Sequence, residues 1–556
     1  MQCQVVWLVT LFFAFATAQS YSYGVDIDSL TRRQDTGRIV VKPLPQTRNG
    51  TVPLRPEIRE MQADRYKWDL YILSMSMLQD VDQDDPASWY QIAGIHGVPF
   101  ESWNGVEAAT GANQSGYCAH NSVLFPMWHR PYLTLFEQEL YRMANVIAGM
   151  FPNGTDRQAY TAAARDFRMP YWNWAMPAPE GKSHLPDIFW NETISQNGPK
   201  GVQEIHNPLY SYQFHPKNAT AMIWAPLRNW NETKRAPNST EPDNDDQEEP
   251  TSDNEQVNRA LLSKLPEIQR RLSTLFSSYK DFNSFGSKAW AFSNNSTLDS
   301  LESVHDIIHI FGGLQGHMTF VPLSSFDPLF LLHHTMTDRL VAIWQAMNPD
   351  SWVTPLPAGE NSFTVIKGEM QDSQSPLTPF LSSDDGTFWN SDTSRTTEAF
   401  GYAYADTDLT GKQKEDVRQE LQKKVTEWWG GGSVSLLSVN EHTTTTEWVA
   451  EVRLSVLHDH AFTFVYFFLG DPSGSQENWL SAQNNIGSAL ISGSSNRTAV
   501  VGVHLTSERT RGLQPGEMSK KLQFRIVENG KIVHPDEVDL HIDLVSDEGS
   551  RIKLWG

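Results

Sequence analysis

F-D-P-L-F-L-L-H-H-T-M-T-D-R-L (326–340) sets an Asp-Pro pair ahead of an apolar run that carries two adjacent histidines. Asp327 is a good N-cap and Pro328 suits the first helical position, where its missing N–H has no partner to lose, so a helix is expected from there to about Gln345. Helical neighbours point about 100° apart. One imidazole of the pair His333 and His334 is therefore expected to face a shared site. Upstream, L-E-S-V-H-D-I-I-H (301–309) puts His305 and His309 at i and i+4 on a second helix, expected over residues 297–310. An isolated pair at that spacing is most often solvated, but Leu298, Leu301, Val304 and Ile308 make an apolar stripe here, which favours ligands over surface groups. C-A-H-N-S-V-L-F-P-M-W-H-R-P-Y (118–132) and G-I-H-G-V-P-F (94–100) supply a further trio, His96, His120 and His129. Two nitrogen-only trios in one domain point to a pair of metal ions able to bind O2 between them.

The flanking pattern is helical. Apolar residues recur at helical spacing from Ile58 through W-D-L-Y-I-L-S-M-S-M-L (68–78), and again from about Trp128 to Ile147, with Pro131 expected in the first turn and His129 at the helix entrance. His120 falls in the irregular segment before it. Helices with inward histidines describe a bundle around a metal pair. After Gly430–Gly432 the pattern changes to alternation, at 447–456, 462–471, 520–533 and 538–545, with Asn529-Gly530 as a hairpin turn. These are read as strands of a separate β domain.

Taken together, the motifs resemble the two copper signatures of the type-3 copper proteins, the tyrosinases, catechol oxidases and molluscan haemocyanins. With I-A-G-I-H-G-V-P-F (92–100) and the length of the chain, the resemblance is greatest to long ascomycete tyrosinases, from about Arg55 to the C-terminus. It implies a mainly α catalytic domain with a four-helix bundle around a dicopper centre, followed by a C-terminal all-β domain that shields the site. The two copper ions would be held by His96, His120 and His129 and by His305, His309 and His334. The implied activity is O2-dependent ortho-hydroxylation of monophenols and oxidation of o-diphenols to o-quinones. A catechol oxidase without the first step, a haemocyanin-like oxygen carrier and a site recruited to other chemistry with zinc remain alternatives. An H-E-x-x-H zinc hydrolase is disfavoured, since Asp306 replaces the glutamate.

The resemblance also assigns finer roles. Cys118 matches a cysteine that forms a thioether with the second histidine of the first site, here His120. Glu302 matches a glutamate that holds a water for removing the phenolic proton, and Asp306 stands where strong monophenolases usually have Asn. Glu302 and Asp306 are themselves i and i+4, so the two carboxylates are expected to share a proton or a water, and Asp306→Asn to free Glu302 and raise hydroxylation. Val321 matches a gate above the first copper, and is otherwise one more core valine. Asp338, four residues past His334, could orient that imidazole or pair with Arg339. Tyr402-Ala403-Tyr404 matches the motif that closes the catalytic domain, and the strand around Phe462 and Phe464 could plug the active site.

Length and composition frame this reading. A chain of 556 residues is expected to hold at least two domains, and a formal charge of −22 disfavours nucleic acid or anionic membrane as partners. Val5 to Ala18 is apolar and ends in Ala16-Thr17-Ala18, a signal peptide expected to be cleaved before Gln19. No later run of ~20 apolar residues offers a membrane anchor. Ten N-x-[ST] sequons agree with secretion. With Cys3 in the leader, Cys118 is left as a lone thiol, which excludes a disulfide within the mature chain. The expected organisation is a signal peptide at 1–18, a catalytic domain at 19–405 with a mobile acidic insert at 236–256, a linker at 406–445 containing Lys423-Lys424 for a processing protease, and the β domain at 446–556.

Overall fold

A computed structural model describes the chain apart from residues 1–18, 28–36, 48–49, 113, 223–226, 239–248, 294–298, 430–447, 457–460, 473, 477–478, 481, 494–496, 506–509, 511–512 and 547–549. The expected signal peptide thus lies outside the described residues, as does much of the expected linker. The helices that position the site are α1 (Arg65–Gln79), α2 (Trp89–Gly94), α3 (Phe125–Met150), α4 (Asn254–Ser278), α5 (Lys288–Ser293), α6 (Leu301–Gly313), α7 (Leu329–Met347) and α8 (Lys414–Trp429). α1 packs on α3, α3 on α7, α7 on α6 and α6 on α4. Buried tryptophans wall this bundle, and their indole N–H groups are satisfied: Trp128 donates to the Thr378 carbonyl at 2.7 Å and Trp344 to that of Tyr279 at 3.1 Å.

Local chemistry sets the helix ends. Ser300 caps α6 by accepting from the Ser303 N–H, and Asp327 accepts from the Leu329 N–H at 2.9 Å at the start of α7. α3 begins at Phe125, earlier than its sequence suggests, with Pro126 in the first turn. Pro131 is consequently inside the helix and His129 a full turn into it, which corrects the expected entrance. The price at Pro131 is the one helical hydrogen bond its ring nitrogen cannot donate.

Two expected segments differ in the fold. The acidic insert is anchored closer to its centre than its composition implies: Pro237 bridges Ser252, Glu249 accepts from the Asn231 backbone at 2.9 Å, and Asp253 caps α4 through the Gln256 N–H at 2.8 Å. The first part of the expected linker is the docked helix α8. Its Val417, Leu421, Val425 and Trp429, spaced by four, are buried, Trp429 donates to the Ala175 carbonyl at 3.3 Å, and Lys424 pairs with Glu420 at 2.9 Å.

The C-terminal region is built from β1 (Trp448–Val456), β2 (Ala461–Leu469), β3 (Asn485–Gly493), β4 (Arg497–His504), β5 (Leu522–Glu528), β6 (Lys531–Val533), β7 (Asp539–Ser546) and β8 (Arg551–Trp555). They form two antiparallel four-stranded sheets, ordered β4-β1-β7-β8 and β6-β5-β2-β3. Asn529 and Gly530 make the β5–β6 turn with φ of 47° and 78°, the left-handed region such a hairpin requires. The start of the expected 520–533 strand is instead the end of a helix, Pro515–Lys521. Side chains alternate along β2: Val465 and Phe467 enter the core between the sheets, while Phe462, Phe464, Tyr466 and Phe468 pack with the helical body. There Phe462 packs on Phe320, with ring centres 4.4 Å apart and the planes tilted by 47°. Among the described residues, no helix is long and apolar enough to cross a membrane.

Candidate metal centre

α6 presents His305 and His309 to the interior, α7 presents His334 against them, α3 brings His129, and the segments after α2 and before α3 bring His96 and His120. The tautomers follow from their partners, because a carbonyl can only accept. Nδ1 of His96 donates to the Val321 carbonyl at 3.0 Å, His129 to Phe125 at 2.9 Å, His305 to Glu302 at 3.2 Å and His309 to Met318 at 3.0 Å. In each of these four rings the proton is therefore on Nδ1, and Nε2 is a lone pair.

Those lone pairs converge. Nε2 of His305 is 2.9 Å from that of His309, and Nε2 of His334 is 3.2 Å from both. Two unprotonated nitrogens at that distance repel unless a cation lies between them, and the spacing suits donors each about 2 Å from one ion. In the other trio, the buried Nε2 atoms of His96, His120 and His129 have no hydrogen-bond partner among the described residues. The trios abut, with His129 stacked on His334 at 4.5 Å between ring centres. Burial first, then neighbouring imidazoles, hold His96, His120, His309 and His334 neutral well below the usual histidine range, and His129 is pushed down to about 3. Neutral donors are what metal binding needs.

His96 owes its position to a close backbone approach. The Val98 N–H donates to the Pro322 carbonyl at 3.0 Å, and any Cβ on Gly97 would overlap Pro322. Val321 was expected to be either a gate, by resemblance, or one more core valine; its carbonyl fixes the His96 ring. Nδ1 of His120 is 3.1 Å from the Sγ of buried Cys118, whose thiol pKa is raised by burial.

Three expectations need correction. Both His333 and His334 reach the site: the nitrogens of His305, His309, His333 and His334 lie within 4.8 Å of one another. What separates them is contact, since only His334 brings Nε2 against the His305 and His309 donors, while His333 stacks on His305 with ring centres 4.8 Å apart. Asp338 does not orient His334, whose Nδ1 lacks a partner among the described residues. Its oxygens are taken by Arg130 at 2.8 Å, Arg55 at 3.3 Å, Tyr402 at 2.6 Å and Tyr404 at 2.8 Å, and Arg339 pairs with Asp406. This buried knot ties α3 and α7 to the Tyr402-Ala403-Tyr404 segment.

The third correction concerns Glu302 and Asp306, which do not share a proton. Lys288, which sequence reasoning missed, lies between them, with Nζ 2.8 Å from Asp306 and 3.7 Å from Glu302. Glu302 also accepts from the backbone N–H groups of Asn121 at 2.6 Å and Lys288 at 2.9 Å. Burial and the Asp306 charge push Glu302 up to about 7 against these donors, whereas the Lys288 ammonium, despite burial, holds Asp306 well below the usual carboxylate range.

Residues 86–347 match the family model described as the common central domain of tyrosinase. The chain is 31% identical over 468 residues to polyphenol oxidase 4 of Agaricus bisporus, covering 78% of this chain and 72% of that protein. The chain belongs to the tyrosinase family. A tyrosinase of Neurospora crassa is 38% identical over 403 residues, 70% of this chain and 57% of that protein, and one of Podospora anserina is 39% identical over 67% and 65%. The chain thus spans about three fifths of the length of these two tyrosinases. The solved structure of a recombinant mushroom tyrosinase aligns with a TM-score of 0.72 at 25% identity, over 93% of this chain and 98% of that one. An Aspergillus oryzae pro-tyrosinase aligns with a TM-score of 0.71 at 21% identity over 93% and 97%, a likeness of fold. The tyrosinase fold, helical first and β-rich after, is the one expected from sequence.

Proposed function

We propose that this chain is a secreted two-copper phenol oxidase that converts o-diphenols to o-quinones and hydroxylates monophenols at the ortho position. The observation that carries the reading is the pair of adjoining imidazole trios, in which four of the six rings have their Nε2 lone pairs freed by Nδ1 hydrogen bonds to backbone carbonyls. His96, His120 and His129 would hold one copper, and His305, His309 and His334 the other. When bound, the copper pair supplies O2 binding and two-electron redox chemistry. Polyphenol oxidase and tyrosinase are the names of relatives that cover most of this chain.

The protein's own groups then do the positioning. Carbonyls of Val321, Phe125, Glu302 and Met318 keep four ligand rings from rotating. Glu302, fully buried one turn from His305, takes the phenolic proton, directly or through a water. Val321 borders the substrate above the first trio. The β sandwich caps the site, a role supported by Phe462 resting on Phe320, the residue before Val321. Exposure of Asn153, Asn191, Asn218, Asn231 and Asn238, the sequon asparagines among the described residues, supports passage through the secretory route.

A catechol oxidase is the second reading, favoured by the protein donors that already occupy both Glu302 oxygens. The test is copper loading followed by assay with a catechol and with a monophenol, before and after limited proteolysis. Quinone from both substrates supports the first reading, quinone from catechol alone the second. Reversible O2 uptake without quinone would overturn both in favour of an oxygen carrier.

A further inference from the structure

Resting on the phenol oxidase reading, the geometry points to Lys288 as a positioning residue that decides which residue can stand at 306: Asp306 engages its ammonium and keeps it off Oε1 of Glu302.

α5 begins at Lys288, directly after Ser287, and the same short stretch addresses both carboxylates of α6. The Lys288 N–H donates to Oε2 of Glu302 at 2.9 Å, and Ser287 Oγ donates to the same oxygen at 3.3 Å. Oε1 accepts from Asn121, the residue after His120, so Glu302 spans the two trios. The Lys288 side chain is 20% exposed and reaches Asp306 at 2.8 Å, against 3.7 Å to Oε1 of Glu302. Asp306 in turn accepts from Nδ1 of His305 at 3.2 Å. Glu360 and Arg271 also act on this cluster at longer range.

Counted with both carboxylates ionised, Glu302, Asp306 and Lys288 carry a single net negative charge, the same as one ionised glutamate beside a neutral Asn with no lysine. Asp306 is thus not an added negative charge but half of an ion pair. The expectation from sequence alone, that Asp306→Asn frees Glu302, reverses once Lys288 is counted. Without Asp306, the ammonium has Glu302 as its nearest remaining carboxylate. A largely buried cation left without its partner is costly, and the acceptor within reach is Oε1 of Glu302 at 3.7 Å. The ammonium then engages an oxygen of the carboxylate that takes the phenolic proton.

A charge-removal cycle tests this. Asp306→Asn is expected to lower the ratio of monophenol hydroxylation to diphenol oxidation by about threefold or more, and Lys288→Met/Asp306→Asn to return it to the parent ratio. In copper-free protein, Lys288→Met alone is expected to lower the melting temperature and the double substitution to recover it, a readout independent of activity and of metal. A ratio that rises in Asp306→Asn, or stays low in the double variant, overturns the inference. Recovery of melting without recovery of the ratio overturns it too, leaving only a structural pair. A parent that oxidises neither substrate class overturns the underlying phenol oxidase reading, whereas a catechol-oxidising parent that fails the cycle overturns this inference alone.

Discussion

Nε2 of His305 lies 2.9 Å from Nε2 of His309, and each ring already donates its Nδ1–H to a backbone carbonyl. Neither nitrogen can donate to the other, so the pair is arranged for a cation. His305→Ala is expected to empty the second site, halving bound copper to about one ion per chain and abolishing oxidase activity. His333→Ala is expected to retain both ions, because His334, not His333, sets its Nε2 against those of His305 and His309, while the His333 ring stacks on His305. Copper stoichiometry checks both, and loss of copper in His333→Ala with retention in His334→Ala would reverse the assignment.

The distance from His120 Nδ1 to Cys118 Sγ, 3.1 Å, places a lone buried thiol against a ligand ring. A thioether between them would fix that ring, which sits on irregular backbone rather than a helix. Peptide mass spectrometry of copper-loaded protein is expected to find the crosslinked peptide two hydrogens lighter and unreactive to alkylation. An alkylated Cys118 in active enzyme would sink the idea.

Gly97 makes a close backbone contact beside a ligand. Gly97→Ala must push Pro322 away, and with it the Val321 carbonyl that holds His96. Overpacking of this kind costs about 1–3 kcal/mol. Weaker copper retention at the first site, with the second site filled, is the expected outcome by metal analysis and thermal denaturation; unchanged copper affinity would show that the carbonyl does not orient the ring.

Asp338 faces Arg130 and Arg55, which hold its carboxyl below the usual range despite burial. A folded-state pKa depressed in this way adds stability above the ordinary aspartate value of about 4, and that contribution is lost as pH falls through the folded value. Asp338→Asn is expected to cost about 3 kcal/mol near neutral pH, since buried Arg130 loses its carboxylate partner while Arg55 keeps Glu137 at 2.7 Å. Urea denaturation of copper-free protein should show the penalty shrinking in acid. A penalty independent of pH would make the knot a matter of shape.

These contacts also show where sequence reading stops. The histidine trios and the Asn529-Gly530 turn were legible because each is a local pattern with a local cause. Arg55 meets Asp338 across 283 positions, and Lys288 meets Asp306 from a short helix with no periodic signature, so neither pairing had a local sign. β3, N-I-G-S-A-L-I-S-G, and β4 were missed because glycine, serine and threonine thin out their apolar alternation. Their pairing comes from neighbours, Val465 opposite Ala489 and Val452 opposite Val501.

α8 changes where activation should occur. Lys423-Lys424 offers a dibasic site by sequence, but proteases bind extended backbone, and these residues lie on a helix whose Leu421, Val425 and Trp429 are buried against the catalytic body. Opening it would expose an apolar stripe and break the Trp429 contact with the Ala175 carbonyl. Cutting is therefore expected C-terminal to Trp429 and before β1, leaving α8 on the catalytic part. Intact-mass analysis of the activated product should end beyond residue 429, and catechol turnover should rise many-fold with copper unchanged. A tethered cap needs little intrinsic affinity, because the linker holds it at roughly millimolar effective concentration. Phe462→Ala, which removes the ring resting on Phe320, should then raise the turnover of uncut protein towards that of cut protein. Equal activity of intact, cut and Phe462→Ala proteins would refute capping, and a product ending at Lys423 or Lys424 would show that α8 opens before the protease acts.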